Sequence, residues 1–147
     1  MDLRDLYQQI IVDHNRSPRN FRKIDHPTHS AQGFNPLCGD KLTLYITLDG
    51  DVITDIAFEG SGCAISVASA SLLTERLKGR TVSEARETFA QLHDVFTAIE
   101  EPENLEELGK LGALAGVRAY PSRIKCASLS WHALNNALNA DGTASTE

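Results

Sequence analysis

Between Lys41 and Phe58 the chain alternates. Leu42, Leu44, Ile46 and Leu48 share one parity, while Lys41, Thr43, Tyr45 and Thr47 share the other. That is the period of a strand with one face in a core and one toward water. Asp49-Gly50 is a tight-hairpin signal, and the run Val52 to Phe58 resumes the pattern with Ile56 and Phe58 on one face. An earlier strand over Ala31 to Asn35 is expected beside them. The sheet is therefore antiparallel, and its apolar face has to be covered by helices.

The rest of the chain supplies that cover. Leu3, Leu6, Tyr7, Ile10 and His14 recur at helical spacing across residues 2 to 14. After Gly60 and Gly62, the residues Ile65, Ala68, Leu72 and Leu73 set a second helical face, which Gly79 closes. Thr81 to Ala85, with Ser83 near the N-terminus, reads as the start of a third. A last helix is expected from Pro121 to Asn139, striped by Ile124, Ala127, Trp131, Leu134 and Leu138. The acidic run Ala98 to Leu108 reads as a solvated face, with Pro102 and Glu103 suited to a first helical turn. The glycine-rich stretch from Leu108 to Arg123 reads as a loop-linked connection. The segment NRSPRNF and its neighbours, with Arg16, Arg19, Arg22 and Lys23, read as a solvated basic loop. The expected fold is α+β, with three or more strands followed by helices. It forms a single domain over residues 1–140, and 141–147 is a polar tail expected to fray.

Composition removes several functions. Fourteen basic against 20 acidic side chains leave a net charge of −6 and no basic cluster able to track phosphates, which argues against nucleic-acid binding. The opening MDLRDLYQQII carries early acids and no long apolar core, unlike a secretory signal. No apolar run approaches the roughly 20 residues of a membrane span. A cytoplasmic protein is expected. Three cysteines, Cys38, Cys63 and Cys126, then point away from a disulfide framework and toward metal binding or thiol chemistry.

Each cysteine stands at a boundary between elements. Cys38 lies in the turn former NPLCGD, two residues before Asp40, where an ionised carboxylate disfavours a thiolate unless a cation sits between them. Cys63 opens a helix, and Cys126 lies in the first turn or two of the last one. Unpaired helix N–H groups favour a thiolate in such places. On the last helix Cys126 points roughly 120° away from the apolar stripe, so it is not expected to be a core cysteine. Three thiols and Asp40 are donors of the kinds that zinc accepts in tetrahedral sites. Their spacing is not that of a zinc finger, so only the fold can gather them.

NPLCGD, GSGCAIS and RIKCASLSW closely resemble the three cysteine motifs of the IscU/SufU family of iron–sulfur assembly proteins. DHNRSPRNF is similar to the opening of the same family, and the resemblance runs from about residue 3 to residue 138. It implies a small antiparallel three-stranded sheet with helices packed on one face, and loops at one end that gather the site. Where IscU-type scaffolds have a His before the last Cys, this chain has Lys125, a poor metal ligand at neutral pH. His14, His26, His29, His93 and His132 all lie outside the motifs, and His132 is expected at the surface. The segment AYPSRI also departs from the scaffold's chaperone-binding segment.

The missing His and a long segment between the second and third Cys, filled here by Ala85 to Val117, are similar to the SufU branch. That branch implies zinc held by Cys38, Asp40, Cys63 and Cys126, and sulfur accepted from a SufS-type, pyridoxal-phosphate-dependent cysteine desulfurase. Cys38 would receive the persulfide sulfur when the partner displaces it from zinc, and Arg123 would help the complex form. A SufB-type scaffold is a candidate acceptor downstream. Asp40, harder than sulfur, would leave the site less tightly locked than four thiolates. Two alternatives stay open: a scaffold for a transient iron–sulfur cluster, and a zinc module that only presents a surface.

Overall fold

The hairpin forms where the alternation places it. The computed structural model describes residues 3–36, 39–97, 105–139 and 143–145. Strands β2 (Asp40–Asp49) and β3 (Val52–Ser61) pair antiparallel, with Leu44 opposite Phe58 and Ile46 opposite Ile56. A bulge after Thr47 brings Leu48 opposite Ile53, so Ile53 and Ile56, three residues apart, both reach the core. Strand β1 (His29–Asn35) starts two residues earlier than the sequence suggested and pairs antiparallel with β2, Asn35 facing Asp40.

Part of the segment expected to fray is paired in the sheet. Thr143–Ser145 forms a short strand, β4, parallel to β1 at the edge of the three antiparallel strands, giving the order β3-β2-β1-β4. An open β1 edge would otherwise present unpaired backbone groups, and these three residues cover part of it.

Helices α2 (Ala64–Leu77) and α4 (Pro121–Leu138) lie on the apolar face of the sheet, while α1 (Leu3–Arg16) packs on α2 and α3 (Val82–Thr97) packs on α4. There Leu42, Leu44, Ile46, Ile53, Ile56 and Phe58 share one core with residues of α2, α3 and α4. Ser30, Gln32 and Phe34 project from the other face of β1 into solvent. A reciprocal cap starts α3: Thr81 Oγ1 accepts from the Glu84 N–H at 3.1 Å, while Glu84 Oε1 accepts from the Thr81 N–H at 3.3 Å.

Helix α2 has little solvent face, and its small polar residues hold other segments. Ser71 Oγ accepts from the Arg19 N–H at 2.8 Å and lies 2.7 Å from His14 Nδ1, while Thr74 Oγ1 donates to the Arg19 carbonyl. The basic segment is thus docked rather than loose. Arg19 pairs with Asp13 and Glu75, and Arg22 pairs with Asp55.

The stretch read as a loop-linked connection is helical. Leu105–Ala119 forms two runs of 3-10 helix joined at Gly109, whose φ of 56° suits a residue without a Cβ. Leu108, Leu111, Leu114 and Val117 are buried at a spacing of three. A 3-10 helix has three residues per turn, so beyond the break at Gly109 the side chains of Leu111, Leu114 and Val117 stack in one row. The expected turn at Pro102 and Glu103 lies outside the described residues.

Candidate metal site

The end of the sheet nearest Asn35 and Asp40 gathers the sequence motifs. Asp40 opens β2 and is buried; Cys63 caps the N-terminus of α2; Cys126 lies in the second turn of α4. One ligand atom from each falls within 4.8 Å of the others. Among the described residues this is the only group of three or more His, Cys, Asp or Glu side chains arranged to hold a metal ion.

The two oxygens of Asp40 are used differently. Oδ1 accepts from the Cys63 backbone N–H at 2.7 Å, while Oδ2 lies 3.9 Å from Cys63 Sγ. Cys63 Sγ in turn accepts from the Ser66 N–H at 3.5 Å. That is the N-cap position expected for this thiol, with a free helix N–H aimed at the sulfur. Gly62 makes the arrangement sterically feasible, because a Cβ there would stand 2.6 Å from Asp40 Oδ1.

Two expectations for Cys126 are overturned. It is fully buried, although its angle from the stripe suggested otherwise. The stripe argument assumes a helix with one wet face, whereas α4 is packed against β1, β2, α2, α3 and the 3-10 segment together. Its burial is nearly continuous from Cys126 to Trp131. Nor does the helix N-terminus act on this thiol. Cys126 lies a turn beyond the free N–H groups, and its Sγ instead contacts the Ser122 carbonyl at 3.5 Å.

The remaining candidates fall around this cluster. Arg123 is exposed on α4, one turn before Cys126. Cys38 lies outside the described residues. His132, expected at the surface, is half-buried, with its ring edge-on to Phe89 at 5.5 Å. Burial, with His93 nearby, holds its pKa below the usual histidine value. His14 is buried against α2 rather than near the site.

Sequence reasoning missed Asn35. Its side chain is fully buried, with Nδ2 3.3 Å from Asp40 Oδ2 and 3.5 Å from Cys126 Sγ. The signal was present: Ala31, Gly33 and Asn35 share the inward parity of β1, and an amide on a core parity requires partners.

An antiparallel hairpin, a flanking strand and covering helices bring two cysteines and an aspartate to one end, the arrangement that the resemblance to iron–sulfur assembly proteins implies. The sequence pattern described as the NifU-like N terminal domain matches residues 6–127. The chain belongs to that family, which includes the SufU and IscU proteins. It is 41% identical to the zinc-dependent sulfurtransferase SufU of Bacillus subtilis, over 90% of this chain and 89% of that one. It is 38% identical to the iron–sulfur cluster assembly scaffold protein IscU of Streptococcus pyogenes, over 97% of this chain and 88% of that one. A crystal structure of a SUF-system scaffold protein from Fervidobacterium islandicum superposes with a TM-score of 0.83 at 36% identity, covering 93% of this chain and 99% of that one.

Proposed function

We propose that this protein is a zinc-dependent sulfurtransferase that accepts persulfide sulfur from a SufS-type cysteine desulfurase for iron–sulfur cluster assembly. The observation that carries the reading is the convergence of Asp40, Cys63 and Cys126 within 4.8 Å at one end of the sheet. Two thiols and a carboxylate that close, two of them buried, are poorly accommodated as anions without a cation, and they are donors zinc accepts. Cys38, two residues from Asp40 in sequence, would complete a set of four.

Bound zinc keeps its thiol ligands ionised and protected. The chain's own groups then divide the work. The Cys63 N–H holds Asp40 Oδ1, and Oδ2, which also accepts from the Asn35 amide, would serve as the donor to a metal. Cys38, as a free thiolate, would attack the outer sulfur of the donor persulfide. A new S–S bond forms on Cys38, the S–S bond in the desulfurase breaks, and the desulfurase cysteine leaves as its thiolate. No net oxidant is consumed. Arg123, exposed a turn from Cys126, offers positive charge to the incoming partner. A SufB-type scaffold is the proposed next acceptor, and a reducing cytoplasm suits free thiols. Among the described residues no helix is long and apolar enough to cross a membrane.

The test is metal content and visible absorption of the untagged protein purified without added metal or oxygen, followed by addition to a SufS-type desulfurase. A colourless protein with one zinc per chain, lost on replacing Cys38, Cys63 or Cys126, and stimulation of the desulfurase, are expected. A brown protein with iron and labile sulfide would favour the scaffold role borne by the Streptococcus relative.

A further inference from the structure

Asn35 reaches two of the three clustered ligands at once. It ends β1 opposite Asp40 in the strand register, and its amide nitrogen stands between Asp40 Oδ2 and Cys126 Sγ at 3.3 and 3.5 Å. An amide NH2 carries two N–H donors and no acceptor on that atom, so each ligand can receive one. The bond to Cys126 spans 91 residues of sequence and ties the first β-hairpin to the last helix. Few other side chains would serve. A carboxylate here would turn acceptor oxygens toward two anionic groups, and a hydroxyl has a single proton to share.

We propose that Asn35 is a positioning residue of the metal site, orienting Cys126 Sγ and Asp40 Oδ2 toward a common centre and donating to the Cys126 sulfur when metal is bound. The inference rests on the reading of this cluster as a metal site. Donors behind metal ligands fix ligand orientation and temper ligand basicity, and losing one typically weakens metal binding about 10- to 100-fold. In a buried setting such bonds are strengthened by the low local dielectric, and Asn35 is fully buried.

The experiment titrates the full-length, metal-free protein with Co²⁺ under anaerobic conditions, then competes with Zn²⁺, for the wild type, Asn35→Leu and Asn35→Ala. Leucine keeps the branched shape of asparagine and removes both donors. Thermal melting of the metal-free variants reports whether the fold survives. The expected result is a folded Asn35→Leu protein that binds metal about 10- to 100-fold more weakly. Its thiolate-to-cobalt charge-transfer band should move to lower energy, because the sulfur has lost a hydrogen bond. A space-filling role would leave that band in place. Wild-type affinity and band position in a folded Asn35→Leu protein overturn the inference and leave the metal reading intact. A wild type that shows no thiolate-to-cobalt band overturns the metal reading itself.

Discussion

A methyl group at position 62 would stand 2.6 Å from Asp40 Oδ1 and 3.1 Å from its carboxyl carbon, so Gly62→Ala forces the carboxylate to turn. The turn breaks the Cys63 N–H bond and moves Oδ2 away from the two sulfurs. Zinc affinity should fall about tenfold or more, as for other losses of ligand support, measured by competition with a chromogenic chelator. His14 carries a second prediction at this scale. Burial first, with Arg19 and Lys110 adding to it against Glu75 and Asp13, holds its pKa below the ordinary histidine value of 6.5. The unfolded chain therefore takes up this proton more readily than the folded one. His14 contributes stability above about pH 6.5, and that contribution is lost as pH falls through the lower folded value. The melting temperature should drop between about pH 7.5 and 5.5, and less steeply in His14→Gln. The cysteine motifs were legible residue by residue. Asn35 was not, because its role is defined by partners in β2 and α4.

Among the elements, α2 and α4 are joined by a polar contact inside the core. Ser69 Oγ donates to the Ala127 carbonyl and accepts from Trp131 Nε1 at 3.2 Å. Ser69→Ala leaves a buried indole N–H without its acceptor and should cost about 1–3 kcal/mol, read by chemical denaturation. The loss in Ser69→Ala combined with Trp131→Phe should be smaller than the sum of the two single losses, since the orphaned donor is then gone. The hairpin, α1 and α2 were legible because each carries its period within its own span, whereas of α3 only the start over Thr81 to Ala85 was legible. The 3-10 segment was not, although Leu105, Leu108, Leu111, Leu114 and Val117 recur every third residue. Period three lies between the strand and α-helix templates, and the interspersed glycines read as breakers.

Across the whole molecule the site joins parts that are far apart in the chain. Asp40 comes from the start of β2, Cys63 from the cap of α2 and Cys126 from α4, so an ion held by all three would link the sheet to both helices. Zinc binding only the folded form should raise the melting temperature, by the equivalent of about 2.7 kcal/mol at a free concentration 100 times Kd. Chelation should reverse the shift, and a Cys63→Ser protein should lose most of it. Calorimetry with and without chelator measures both.

Alternation, the Asp-Gly turn and the helical periods by themselves determined an antiparallel sheet with one covered face, since each signal is complete within a few consecutive residues. The motifs also marked the carboxylate and two thiols, Asp40, Cys63 and Cys126, that the fold brings together. The burial of Cys126, the contacts of Asn35 with both Asp40 and Cys126, and the pairing of Thr143–Ser145 with β1 emerge only once the elements pack together. The physical reason is the same for all three. A helix's pattern reports one favoured face but not how many neighbours enclose it, and a side chain's partners across long sequence distances are set by how the elements stack.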